Sequence, residues 1–116
     1  MERMSFGEGS STLAWEGASL SLEGPLRDAW RDAAHVFALA ETLGPRRYEL
    51  FIYDAESHGL LARIKPPEGW VFYRLTAHPR GPSVIASSLD PANAHQDWHF
   101  TIDVQGQTVT RSAPSR

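Results

Sequence analysis

The chain contains no cysteine. This absence excludes disulfides, thiolate nucleophiles and every zinc motif built on a thiolate, and it fits a reducing compartment. Long apolar runs are missing as well. Nothing approaches the ~20 residues of a membrane span, and the opening MERMSFGEGSSTLAW lacks the apolar stretch of a secretory signal. A cytoplasmic protein is therefore expected. Nor is there an excess of positive charge: 11 Lys and Arg face 14 Asp and Glu, for a net charge of −3. No global field draws in phosphate or anionic lipid. Repeats and low-complexity tracts are absent, as are a G-x-S-x-G elbow and a phosphate loop; GEGSS has glycines but no strand before it. No cofactor is implied.

What is present suits one domain. A length of 116 residues allows a single core, and a hydrophobic fraction of 41% with four tryptophans supplies bulky material for it. Residues 1–10 and 112–116 read as loosely held ends. In TLAWEGASLSL a two-residue turn at Glu16-Gly17 sets Leu13 opposite Leu20 and Trp15 opposite Ala18, so register and alternation agree on a hairpin.

The next stretch, GPLRDAWRDAAHVFALAETLGP, has helical spacing. Leu26, Trp30, Ala33, Phe37 and Ala40 recur at three and four residues, Pro25 suits a first helical position, and Gly44-Pro45 is a stop. An amphipathic helix of about eighteen residues is expected there. After Pro45 the period becomes alternating, with strands in RRYELFIYD, GLLARIK, GWVFYRLTA, PSVIASSL, QDWHFTIDV and QTVTRS, joined by short turn-rich segments. Short joints imply antiparallel neighbours. A turn at Gln105-Gly106 sets Ile102 opposite Val109 and Phe100 opposite Arg111. The composite expectation is an α+β fold in the order ββαβββββ: an antiparallel sheet of about six to seven strands curled around one amphipathic helix.

Chemistry concentrates in HQDWHF. On a strand His95, Asp97 and His99 share one face, while Trp98 and Phe100 share the other with Ile102. The second set is a core face, and the first then reads as the solvated side of a strand. Asp97 and His99, ~6.6 Å apart along the strand, could instead chelate a metal with a third ligand from a neighbouring strand. His95 and His99 are ~13 Å apart, too far to share one ion without a bend. As a His–Asp acid–base pair they lack a companion nucleophile.

With the registers above, the sheet face away from the core collects Glu49, Phe51, Tyr53, Arg63, Lys65, Trp70, Phe72 and Arg74 beside His95, Asp97 and His99. Four aromatics interleaved with arginine resemble an interface centre more than a solvated face. The alternatives are an opposite register in one strand, or an N-terminal segment lying over this face. The expected function is a small non-enzymatic binding module, of inhibitor, immunity-type or assembly-factor character. It would use this face on a protein partner or, as a homodimer, on itself. A metal-assisted or small-molecule site at Asp97 and His99 is a second reading. Single-strand nucleic-acid binding, with Phe51, Trp70 and Phe72 stacking on bases, is a third, and the negative net charge counts against it.

Overall fold

A computed structural model describes residues 1–78, 81–93 and 96–115. Its strands are β1 (Glu2–Arg3), β2 (Thr12–Trp15), β3 (Ala18–Ser21), β4 (Leu26–Arg31), β5 (His35–Glu41), β6 (Tyr48–Asp54), β7 (Leu60–Ile64), β8 (Trp70–His78), β9 (Gly81–Ser88), β10 (Asp97–Asp103) and β11 (Thr108–Ser115). The β2–β3 hairpin has the expected register, Leu13 opposite Leu20 and Trp15 opposite Ala18. Glu16 and Gly17 both take positive φ, 47° and 83°, as a tight turn matched to the strand twist requires.

The expected helix does not form. Residues 26–41 are instead a hairpin, and among the described residues the only helical turn is the short 3₁₀ segment Pro91–Asn93. The fold is therefore nearly all β rather than α+β. Three physical causes produced the false period. First, Asp32 closes a turn inside the stretch: its Oδ1 accepts the backbone N–H groups of Ala34 (2.9 Å) and His35 (2.7 Å). Second, β4 carries a bulge between Leu26 and Asp28 that breaks its alternation and spaces the apolar residues as a helix would. Third, β5 is buried on both faces. Phe37 and Leu39 enter one core cluster while Val36, Ala38 and Ala40 enter the other, so the strand reads as a continuous apolar run. Such a run has no strand period to detect.

Without a helix, the apolar sheet surfaces are covered by other sheets. A five-stranded sheet in the order β1-β4-β5-β6-β7 forms the middle layer. A four-stranded sheet, β11-β10-β9-β8, covers one of its faces, and Phe37, Leu50, Ile52, Phe72, Leu75, Val84 and Phe100 fill the space between. The β2–β3 hairpin covers the other face through Leu13 and Trp15, which pack with Val36, Phe51 and Tyr53. The Trp15 indole N–H donates to the Ala55 carbonyl at 2.8 Å and fixes the hairpin in place. Burying each of these large side chains stabilises the fold by roughly 1.5–3 kcal/mol. Both chain ends contribute strands, β1 to the middle sheet and β11 to the outer one.

The two sheets are tied at one corner. Asp28, buried at the β4 bulge, accepts the Leu75 N–H at 2.8 Å, and the neighbouring Arg27 donates Nε–H to the Tyr73 carbonyl at 3.2 Å.

Candidate binding groove

The residues expected to share one sheet face are divided among three environments. Phe51 and Tyr53 lie under the β2–β3 hairpin, with Phe51 only 3% exposed, so an N-terminal segment does cover this side of β6. Burial there pushes the Tyr53 phenol above its ordinary pKa. Glu49 and Arg63 form a bidentate pair, Nε to Oε2 and a terminal NH₂ to Oε1, both at 2.9 Å. Arg63 also grips Glu23 at 2.7 Å and lies over the Phe51 ring at 4.8 Å, so its charge is committed within the molecule.

Trp70 and Phe72 face the space between the sheets, Phe72 at 1% exposure. A bulge between Phe72 and Arg74 explains the change of side. Tyr73 is the extra residue, and it reverses which of its neighbours face the core. Arg74 thus pairs with Ile85, on the outer side of the four-stranded sheet with Asp97 and His99. There Asp97 accepts a hydrogen bond from the Ser87 hydroxyl at 2.7 Å, and His99 Nδ1 lies 3.1 Å from the hydroxyl of the fully buried Ser83. His95 lies outside the described residues. No three of His, Asp and Glu converge to hold a metal ion among the described residues. Phe51 and Phe72, being buried, offer no platform for a stacked base.

In HQDWHF the strand parity is as expected, with Phe100 and Ile102 in the core and Trp98 packed against it. Arg111 stands opposite Phe100, and its guanidinium lies over the Trp98 ring at 4.8 Å and the Trp70 ring at 5.9 Å. The mismatch between arginine and phenylalanine is absorbed by these cation–π contacts.

A concave, partly apolar surface lies elsewhere, where the β5–β6, β7–β8 and β9–β10 connections meet. In an up-and-down antiparallel chain, alternate connections fall at the same end, which brings residues 42–47, 65–69 and 89 together. They enclose a groove of about 250 Å³ with Tyr48, Trp70 and Val71 on its lining and Leu43, Pro66, Pro67 and Leu89 around it. Leu43, 38% exposed, and Leu89, 48% exposed, both line this groove with Trp70, so the apolar exposure there is contiguous rather than scattered.

The loops that build the groove are held by their own backbones. Trp70 N–H donates to Pro67 O at 3.0 Å, and Leu89 N–H to Gly69 O at 2.8 Å. Leu43 N–H donates to Arg47 O at 3.1 Å, and Arg47 N–H to Gly44 O at 2.9 Å. Pro66 and Pro67 also restrict φ in the β7–β8 connection. A surface ordered in advance spends little entropy on binding.

A second cavity of about 450 Å³ adjoins the first through the shared residues Tyr48 and Val71, and is lined also by Arg27, Arg46, Tyr73 and Ser87. Together the two hold four cations, Arg27, Arg46, Arg47 and Lys65, against one carboxylate, Glu68. Among the described residues none of these four cations forms an ion pair. Within a chain of net charge −3, this is a local positive field beside an apolar pocket.

The sequence pattern puts Leu43 on the expected helix and Arg46 and Leu89 at strand ends, so none of the three stood out as a site residue. The available signal was topological: the parity of connections along a meander. Comparison with known protein families, with curated proteins and with solved structures finds no match for this chain.

Proposed function

We propose that the protein is a small non-enzymatic binding module that takes a protein partner in the end groove formed by Leu43, Tyr48, Pro67, Trp70 and Leu89. The observation that carries this reading is the exposure of two leucines over a preformed aromatic lining, ringed by cations that have no ion-pair partner among the described residues. Interface centres combine large apolar anchors with arginine in this way. Most of the aromatics expected on a sheet face lie in the core, which supports a reading with the interaction surface at the loops rather than on the sheet. The lack of cysteine leads us to place this activity in the reducing cytoplasm.

The test is paired affinity capture from the native cell, using the parent chain, Leu43→Glu/Leu89→Glu, and Leu60→Ser/Leu61→Ser at a remote exposed site. A partner retained by the parent and the remote variant but lost with the groove variant is the expected result. A partner held equally by all three would move the interface away from the groove.

A further inference from the structure

Resting on that reading of the groove, we infer that the partner presents an acidic segment with one bulky apolar side chain. The apolar side chain enters the cavity between Leu43 and Leu89, and carboxylates beside it meet Arg27 and Arg46 across Tyr48. The apolar part of the groove is about 250 Å³ and opens into the charged cavity beyond Tyr48. It suits a single anchoring side chain. Charge complementarity supplies the rest. Four of the 11 basic residues line the two cavities and only one of the 14 acidic ones does. An acidic segment is therefore attracted at this end and repelled by the remainder of the surface, which orients its approach.

The backbone conformation at Arg46 allows its side chain to be removed without cost to the fold. Its φ is 57°, a left-handed conformation that disfavours a side chain and would suit glycine. Its N–H is held by Glu41 Oε2 at 3.1 Å, and its side chain lines the second cavity.

The experiment uses the full chain, isotopically labelled for NMR, with three peptides as probes: Glu-Glu-Phe-Glu-Glu, Lys-Lys-Phe-Lys-Lys and Glu-Glu-Ser-Glu-Glu. The acidic phenylalanine peptide is expected to shift the amides of Leu43, Arg47, Gly69 and Leu89, with affinity that falls as salt is added. Arg46→Gly should melt no lower than the parent yet bind at least tenfold more weakly, and Arg27→Gln should weaken binding similarly. Equal binding of the basic peptide, of the serine peptide, or of Arg46→Gly would overturn the inference. If no peptide binds while the captured partner still depends on Leu43 and Leu89, the acidic class is rejected and the groove reading stands. If groove-dependent capture fails as well, both fall.

Discussion

At Gly24 a β-carbon would stand 1.9 Å from the carbonyl oxygen of Glu41 and 2.7 Å from its carbon. The obstacle is backbone at the end of β5, where Glu41 N–H is bonded to Pro25 O at 2.9 Å, so it cannot swing aside as a side chain would. Gly24→Ala should therefore cost about 1–3 kcal/mol, the usual range for overpacking, and a urea melt reads it directly. A loss near zero would mean that this corner yields. Glu49 makes the second residue-scale case. Its Arg63 hydrogen bonds hold the carboxyl below its ordinary pKa, burial opposes them, and the Thr42 hydroxyl, donating at 2.8 Å, adds to the lowering. A depressed folded-state value means that the stabilisation is complete above the unfolded carboxyl's pKa and is lost as pH falls through the folded one. Glu49→Gln should thus reduce stability near neutral pH by about 1.5–3 kcal/mol, as loss of hydrogen bonds to a charged group does. The same change should flatten the acid limb of a stability-against-pH curve. An unchanged acid limb would show that other carboxylates control it.

At the scale of elements, two bulges decide where side chains go. In β8 the extra Tyr73 turns Phe72 and Leu75 both inward, where strict alternation would have separated them. In β4 the bulge frees Asp28 to reach across to β8, with Oδ2 accepting the Leu75 N–H at 2.8 Å and Oδ1 the Ala29 N–H at 3.0 Å. This carboxylate joins the two sheets beside Arg27, which lines the second cavity. Asp28→Ala leaves the buried Leu75 N–H unpaired and should cost about 1–3 kcal/mol. Hydrogen exchange at the Leu75 amide should accelerate more than at Val84, its neighbour on β9. Equal acceleration at both would indicate general loosening rather than loss of this tie.

At the scale of the molecule, residues 26–41 decide the fold class, because helical spacing and the observed hairpin make opposite demands on them. A far-UV circular dichroism spectrum should show a β protein without the double minimum of a helix of about eighteen residues. A clear helical component would contradict the β4–β5 hairpin. Phe37 sits in the middle of that hairpin with no exposed surface, between the two sheets. Phe37→Ala should cost about 3–5 kcal/mol, because the cavity opens where sheets on both sides limit collapse. That value is the same whether Phe37 lies on a helix or a strand, so stability alone cannot distinguish the two; the spectrum can.

Local periodicity and turn chemistry, both written within a few residues, were enough to establish the β2–β3 hairpin and its register, most of the strands after Pro45, the β10–β11 pairing and the core parity of Trp98 and Phe100. Tertiary structure alone decided the rest. Residues 26–41 could satisfy a helix by spacing, and only burial of β5 between two other layers makes the strand form favourable. Phe51 and Tyr53 looked exposed because the hairpin that covers them is distant in sequence. The groove belongs to this second class. Leu43, Trp70 and Leu89 carry no common motif, and they meet because three connections of a meander return to one end of the fold. A sequence records such a meeting only through its topology, and the topology is settled by which apolar faces the sheets must hide from water.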